Sequence, residues 1–365
     1  MPDTPGRLCA LLAHDLAAAC PAQAHQNAGL MDSLSQLALG AAVGVAVMGR
    51  RTALWKAAAW GGACGTLPDL DALVDFGDPV LNMTLHRSDS HALFWLSLLA
   101  PLIAAAAAWL HDERAQFRRW WLALWLALVT HPILDWFTVY GTQLLRPFSA
   151  EPYGLGSIFI IDPLYTLPLL AGVVGALWAR DAQGLRWNGL GLALSTAYLA
   201  WSALAQQHVI GVAREALAAQ GLPNTKLLVT PSAFNTVLWR IVVLDGEQYR
   251  EGFYSLLDAD RSIRFDRFDR GAGLDAARQA NASLQRIASF SGGFYRLAER
   301  EGHIHIADLR MGQHPFFVFD FAVARRTAQG FEPIRPQAVG GRGEIGPTLH
   351  WMWRRLQGER LLPPR

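Results

Sequence analysis

The sequence predicts a mainly α-helical protein, in which a polytopic membrane domain is followed by a small soluble antiparallel α+β domain. Hydrophobic residues make up 52% of the 365 residues and charged residues only 17%, which is low for a soluble protein. The charges are also unevenly distributed, because residues 31–209 carry far fewer of them than the shorter segment 210–365. A helical membrane domain followed by a water-soluble domain explains both observations.

The net charge and the cysteines narrow the function only slightly. The net charge is +2 and no run of basic residues accompanies it, so we expect no nucleic acid partner. The three cysteines, Cys9, Cys20 and Cys64, show neither a pairing pattern nor a C-x-x-C spacing. They do not decide the redox compartment.

Composition divides the chain into four segments. Residues 1–30 form an N-terminal extension that is either disordered or not translated, with Met31 as the alternative start and a signal peptide as the weaker interpretation. Residues 31–206 form the transmembrane domain, and residues 207–330 form the extracytoplasmic α+β domain. Residues 331–365 are rich in Pro, Gly and Arg and predict a loosely structured tail.

About six apolar runs predict the helices of the transmembrane domain. The first two are short for a full span of about 20 residues, and they predict a tight hairpin in which glycines allow close helix contact. The other four are long enough to cross a bilayer. The six runs are 34–49, 53–67, 91–110, 120–139, 158–179 and 185–204.

Basic residues in alternate loops predict the orientation. The positive-inside rule places the Arg-bearing loops in the cytoplasm, so both ends of the domain and the α+β domain lie outside. The protein is then a multi-pass protein of the bacterial inner membrane. The residues that set this orientation are Arg50, Arg51, Arg114, Arg118, Arg119, Arg180 and Arg186.

The C-terminal part shows strand patterns, with strands expected at 227–229, 238–244, 249–257, 303–309 and 316–323. Asp245-Gly246 predicts a hairpin between two of these strands, and helices are expected at 209–220 and 274–288. His303 and His305 alternate on one strand and therefore share one face, which we expect to be solvated rather than metal-binding.

Three clusters of ionisable residues border or interrupt the apolar runs. Such residues are costly near a bilayer, so a functional site is the default hypothesis. The i, i+4 spacing of the last pair places both of its side chains on one helix face. The predicted orientation brings all three clusters to the extracytoplasmic side. The clusters are Asp69 with Asp71, His86 and Arg87 with His91, and His131 with Asp135.

Imidazoles and carboxylates together indicate a site for a divalent metal ion, with zinc or manganese expected. The candidate ligands are His86, His91, His131 and Asp135. A metal ion in such a site lowers the pKa of a bound water and so supports hydrolysis.

Asp69, Asp71 and Arg87 are the candidate catalytic residues. The two aspartates could complete a second metal position, orient the ligand imidazoles, or act as the general base. Arg87 could bind an anionic group such as a phosphate. The site's location near lipid headgroups makes a membrane lipid or a lipid-linked substrate the expected partner, and the oligomeric state stays open.

Residues 31–205 resemble the predicted membrane-bound metal-dependent hydrolases, the YdjM-like and YbcI-like inner-membrane family. This resemblance implies a prokaryotic inner-membrane protein with a metal-dependent hydrolase activity, and it supplies no substrate. One departure is Asp89-Ser90 before His91, where the family more often has Gly and Ser or Thr. The matching stretches are 31–44, 65–71, 86–91, 131–135 and 156–165.

Two other functions remain open beside the hydrolase. A transporter could use the intramembrane His and Asp residues to carry ions or protons. A non-catalytic scaffold or binding protein could use the same residues to tie its helices together. Bound metal would favour the hydrolase over the scaffold, and ion flux would favour the transporter.

Overall fold

The computed structural model describes residues 33–341 and 343–365. It shows a helical N-terminal region followed by antiparallel sheets, which confirms the predicted fold class at that level. The predicted N-terminal extension, residues 1–30, lies outside the described residues.

Seven helices make up the described N-terminal region. Two of them, α1 and α4, are long and apolar enough to cross a membrane by length and composition, and α6 is a shorter apolar helix. The six-span arrangement therefore stays a prediction. The helices are α1 (Ser33–Arg51), α2 (Leu54–Thr66), α3 (Pro79–Leu85), α4 (Leu93–Leu110), α5 (Phe117–Trp136), α6 (Pro163–Ala179) and α7 (Ala182–Ala218).

Helices α1 and α2 cross with their backbones in contact, which only glycine allows at the crossing. A Cβ atom on Gly40 would lie 2.2 Å from the carbonyl oxygen of Gly61, and one on Gly65 would lie 2.5 Å from that of Gln36. Small residues permit such an approach because they present no side chain. The crossing places the side chain of Gln36 beside the end of α2.

The two ends of the helical region differ in chemistry. The basic end is tied together by Glu113, which accepts hydrogen bonds from Thr52, Lys56 and Trp120 at 2.7, 3.2 and 2.9 Å. The opposite end carries the loops that hold the predicted site residues. The two kinds of loop are separated because successive helices run in opposite directions, so that consecutive loops lie at opposite ends.

Helix α7 contains 37 residues and joins the helical region to the sheets. The sequence predicted two helices with a domain boundary at 206/207, but the helix passes through that boundary without a break. Gln206 lies at the junction, where its amide nitrogen donates to the carbonyl oxygens of Leu155 and Val229 at 2.8 and 2.9 Å. These hydrogen bonds satisfy the buried amide nitrogen and fix the first strand against the helix.

The C-terminal region contains two four-stranded antiparallel sheets, ordered β1-β2-β3-β4 and β10-β9-β6-β5, and a two-stranded ribbon, β7-β8. The predicted Asp245-Gly246 hairpin is confirmed between β2 and β3, where Asp245 pairs with Gln248. The strands are β1 (Lys226–Pro231), β2 (Leu238–Asp245), β3 (Gln248–Ser255), β4 (Phe265–Asp269), β5 (Tyr295–Arg300), β6 (His303–Asp308), β7 (Gly312–Gln313), β8 (Phe316–Phe317), β9 (Asp320–Thr327) and β10 (Gly330–Ala338).

Two expectations for this region need correction. The segment 331–365 is not a loose tail, because it contains most of β10 and the amphipathic helix α10 (Ile345–Leu356). The helix predicted at 274–288 is divided into α8 (Asp275–Gln279) and α9 (Ala282–Phe290). Asn281 causes the division, because its side chain accepts from the first backbone amides of α9 and caps that helix.

The C-terminal region packs against the site-bearing end of the helices. Tyr140, which follows α5, donates to the carbonyl oxygen of Met83 at 2.5 Å and shares one hydrophobic cluster with it and with α9. The Tyr140 ring meets Phe290 and Phe319 edge to face at 5.7 and 5.6 Å. The loops that carry the site and the C-terminal sheet therefore have a common core.

Candidate metal centre

Three short pieces of chain bring four ionisable side chains together. Asp69 lies in a 3₁₀ turn (Pro68–Leu73) directly after α2, and His91 ends a second 3₁₀ turn (Asp89–His91) directly before α4. His131 and Asp135 lie one turn apart on α5, which continues through Pro132. These four residues form a group whose potential ligand atoms all lie within 4.8 Å of one another.

The spacing of the four atoms fits a metal ion. The Nε2 atoms of His91 and His131 are 3.0 Å apart, and Asp69 Oδ1 lies 3.4 Å from each of them. Asp135 Oδ2 lies 3.3 Å from each of the same two nitrogens. Tetrahedral ligands at 2.0–2.1 Å from a zinc ion are separated by roughly 3.3–3.4 Å. The side chains are therefore already spaced as ligands of one ion.

The tautomer of each histidine follows from its second hydrogen bond. His131 Nδ1 lies 2.6 Å from the carbonyl oxygen of Gly65, so Nδ1 carries a proton. Ser90 Oγ donates to Asp71 Oδ2 at 2.5 Å and lies 2.9 Å from His91 Nδ1, so this Nδ1 is also the donor. Both Nε2 lone pairs then point at each other, which is repulsive unless a cation or proton lies between them.

Asp135 presents one oxygen to the group and uses the other to hold its position. Its Oδ1 accepts from Gln36 Nε2 at 2.9 Å and lies 3.2 Å from Arg87 Nη2. Its Oδ2 is buried and has no hydrogen-bond partner among the described residues. A buried carboxylate oxygen without a partner is costly, and a metal ion at the centre would satisfy it.

Asp69 forms the open side of the group. Its side chain is 14% exposed, whereas the other three side chains are at most 1% exposed. Burial raises the pKa of Asp69, but when a proton rather than a metal ion lies between the imidazoles, the hydrogen bond and charge of the protonated His131, together with the His91 hydrogen bond, hold this pKa well below its usual range. The carboxylate is therefore ionised at neutral pH, as a metal ligand has to be.

His86 lies outside the group of four, although the sequence predicted it as a ligand. Its Nδ1 is 2.7 Å from Asp71 Oδ1, and its side chain is 24% exposed. Burial raises the pKa of Asp71, but the hydrogen bond and charge of His86 and the charge of His91 outweigh it and lower this pKa. The structure thus places Asp69 among the candidate ligands and pairs His86 with Asp71 beside them.

Arg87 is fully buried, whereas an arginine that binds a substrate has to be accessible. Besides Asp135, its guanidinium donates to Thr138 Oγ1 at 3.1 Å and lies 5.2 Å from the ring centre of Tyr140. Its backbone adopts φ 61° and donates to Asp71 Oδ2 at 3.1 Å. Arg87 therefore links both aspartates to the α5 end and balances the charge of Asp135.

Sequence reasoning did not single out Gln36, Ser90 or Thr138. Gln36 could have been recognised from the sequence, because it is a polar side chain inside the apolar run 34–49. Ser90 lies inside the cluster that was identified, but its link between Asp71 and His91 depends on the turn geometry. Asp162 caps α6 through the amide of Leu164 and is not one of the four.

Comparison with known proteins agrees with this description of the helical region. Residues 31–209 match the family model described as YdjM inner membrane protein. This part of the chain is similar to the YdjM inner membrane protein family. All four residues of the candidate metal centre, and Gln36, lie within the YdjM region. The similarity therefore covers the helical region up to residue 209 and the site, and the C-terminal sheets lie beyond it.

One curated relative also matches part of the chain. Over 137 residues the chain is 34% identical to "Uncharacterized protein YfhP" of Bacillus subtilis (strain 168). The match covers 36% of this chain and 40% of the relative, so the chain spans less than half the length of that relative. No solved structure matches the chain at a significant level.

Proposed function

We propose that this protein is a metal-dependent hydrolase of the bacterial inner membrane. The observation that carries the proposal is the arrangement of Asp69, His91, His131 and Asp135. Their facing atoms have the spacing of ligands around one ion, and the Nδ1 contacts of both imidazoles turn their Nε2 atoms toward the centre of the group. The YdjM family description supports the membrane location.

Zinc is the metal that the distances favour, and manganese is the alternative. Octahedral ligands at 2.1 Å would lie about 3.0 Å apart, and tetrahedral zinc ligands roughly 3.3 Å apart. Four of the five distances given above, among the six pairs of candidate ligand atoms, are 3.3 or 3.4 Å. Mixed imidazole and carboxylate ligands suit either metal.

A bound divalent ion would supply the Lewis acidity that lowers the pKa of a water molecule. His86 is the residue best placed to move a proton, because Asp71 orients its Nδ1 side and the ring is partly exposed. Asp69 lies on the partly exposed side of the site, from which a substrate would approach. Arg87 and Gln36 keep Asp135 in position and do not reach the open side.

The substrate that we propose is an ester or phosphoester of a membrane lipid or lipid-linked molecule. The turn that points Asp69 and Asp71 inward also exposes Leu70, Leu73 and Val74 outward, with Leu73 at 83% exposure. Large apolar side chains exposed beside a site indicate contact with an apolar partner. An acyl chain lying against this turn would bring its headgroup to Asp69.

We further propose a multi-pass topology with the site and the C-terminal domain on the extracytoplasmic side. The arginines between α1 and α2, between α4 and α5, and between α6 and α7 support this orientation through the positive-inside rule. Packing of the C-terminal region against the site loops supports one common side for both. A periplasmic reporter fused after Arg365 is expected to be active, and activity of a cytoplasmic reporter there would contradict the topology.

Metal analysis of detergent-purified protein tests the metal centre directly. We expect one zinc or manganese ion per chain, lost in His131→Ala and Asp135→Ala and kept in the control His208→Ala, whose side chain is exposed on α7. Folded protein that takes up neither metal would overturn the proposal and favour the scaffold. Proton or ion flux in liposomes that depends on His131 would instead favour a transporter.

Hydrolysis is tested separately with defined probes. Bis(p-nitrophenyl) phosphate and p-nitrophenyl butyrate in micelles report phosphodiesterase and esterase activity, and phospholipid vesicles followed by ³¹P NMR report action on lipid. We expect turnover that requires metal, and His86→Ala should lower kcat while the bound metal stays. Metal-replete protein that hydrolyses none of these probes would refute the substrate class.

A further inference from the structure

A second polar site lies in the C-terminal domain, away from the metal centre. It is a cavity of about 570 Å³ beside the β10-β9-β6-β5 sheet and the β7-β8 ribbon. Its walls combine charged and aromatic side chains. They include Arg296, Arg300, His314, Phe316, Phe317 and Asp320.

The strand register explains why the cavity exists. Arg296 on β5 pairs with Ala307 on β6, which pairs with Asp320 on β9, so these three residues form a row on one face of the sheet. Ala307 has a short side chain and leaves room between the arginine and the aspartate. Arg300 follows Arg296 by four residues and lies on the same face.

Three buried polar atoms on this face lack hydrogen bonds within the described part of the chain. They are Arg296 Nε, Asp320 Oδ1 and His305 Nδ1, and the last two lie 3.6 Å apart as an ion pair without a hydrogen bond. Asp320 and His305 are 4% and 8% exposed, so bulk water does not satisfy them readily. Native proteins seldom leave buried polar groups unpaired, because each one costs about 1–3 kcal/mol. The unpaired Arg296 Nε and the incompletely satisfied Asp320–His305 pair lie on one sheet face beside a cavity, and together they indicate a ligand.

The cavity has an excess of positive charge. Arg300 is neutralised by Asp320, whose Oδ2 lies 3.1 Å from its Nη1, but Arg296 has no ion pair with any described residue. His314 stacks on Phe268 at 3.8 Å and bonds to Tyr249 Oη at 2.8 Å. Burial and the charges of Arg296, Arg365, Arg300 and Arg240 lower the pKa of His314 to about 4. The lowered pKa of His314 is therefore consistent with a positive electrostatic potential in the cavity.

We propose that this cavity binds a small molecule that carries a phosphate or carboxylate and a neighbouring hydroxyl group. Arg296 and Arg300 bind the anion, since a guanidinium offers several N–H groups in a geometry that matches both kinds of oxyanion. Asp320 Oδ1 accepts from the hydroxyl. Phe316 and Phe317 pack against the carbon skeleton of the ligand. Two arginines at the entrance exclude a metal ion.

Calorimetry on the full chain in detergent tests this site with glycerol 3-phosphate, inorganic phosphate and glycerol as probes. We expect saturable binding of glycerol 3-phosphate that is tighter than that of phosphate, and no binding of glycerol. Arg296→Met should weaken binding at least tenfold, because a charge-assisted contact is lost. The matched control is Arg325→Met, which removes an exposed arginine of β9 that pairs only with Glu332.

Two further arms keep the test decisive. Asp320→Asn should reduce the preference for glycerol 3-phosphate over phosphate, and the thermal midpoint of each variant shows that it folds. Nanodiscs with phosphatidylglycerol, compared with phosphatidylcholine alone, show whether the ligand is a lipid headgroup or a free molecule. Binding that is unchanged in Arg296→Met, or no binding of glycerol 3-phosphate or phosphatidylglycerol up to about 10 mM, overturns the proposal.

Discussion

The hydrogen bond from Gln36 to Asp135 gives the sharpest prediction, because Gln36 touches no metal in the proposed centre. We expect Gln36→Leu to weaken metal binding although all four ligands remain. The substitution conserves volume and removes the Nε2 donor that lies 2.9 Å from Asp135 Oδ1. A hydrogen bond to a charged group contributes about 1.5–3 kcal/mol. At about 1.4 kcal/mol per factor of ten, the metal dissociation constant should rise roughly 10- to 100-fold.

A competition titration with a zinc chelator measures this effect in detergent-purified protein. The control is Gln183→Leu, which changes an exposed glutamine at the start of α7, at the opposite end of the helices. Helicity should be the same in both variants, because Arg87 still pairs with Asp135. A dissociation constant within twofold of the wild-type value would refute the reasoning that the second oxygen of Asp135 is held for metal binding.

The remaining predictions concern stability. Arg87→Met should destabilise the protein by about 3–5 kcal/mol, because it leaves Asp135 buried without its countercharge, and adding Asp135→Asn should recover part of the loss. Gly65→Ala should lower both the thermal midpoint and the metal content, since its Cβ would lie 2.5 Å from a backbone oxygen. The lowered pKa of His314, about 4, means that the unfolded state binds more protons, so its contribution to stability is lost as pH falls from about 6.5 to 4.

Each of these predictions has its own control. Thermal melts of the Arg87 single and double variants form a cycle, and additive effects would contradict a coupled pair. Gly189→Ala, where a Cβ meets nothing within 4 Å, should leave midpoint and metal content unchanged. For the pH effect, the difference in midpoint between the wild type and His314→Gln should change between pH 6.5 and 4. A constant difference would contradict the assignment to His314.

Much of the helical region could be predicted because its signals are local. Apolar runs located α4 and α6, and the i, i+4 spacing correctly put His131 and Asp135 on one face of α5. The Asp245-Gly246 hairpin was equally readable, since a two-residue turn depends only on its own residues. These elements needed no knowledge of the rest of the chain.

Asp69 belongs to the group of candidate ligands and His86 does not, which is the reverse of the prediction. The spacing of the residues along the chain could not show this. Both residues lie near a helix end and both are ligand types, so no local pattern favours one over the other. The choice is made by the 3₁₀ turn after Pro68, which points Asp69 inward and lets Asp71 bind His86. Strand β10 was missed for a similar reason. Its two prolines oppose a strand assignment, and only pairing with β9 stabilises it.

The length of α7 has a consequence for how the C-terminal domain is carried. At 1.5 Å per residue, 37 residues extend about 55 Å, while the hydrocarbon layer of a bilayer is about 30 Å thick. If the first part of the helix spans that layer, the remaining part extends beyond the lipid as a continuous helix. The hydrogen bond from Gln206 to Val229 joins β1 to this part of the helix. The sheets are therefore held at a fixed distance from the lipid.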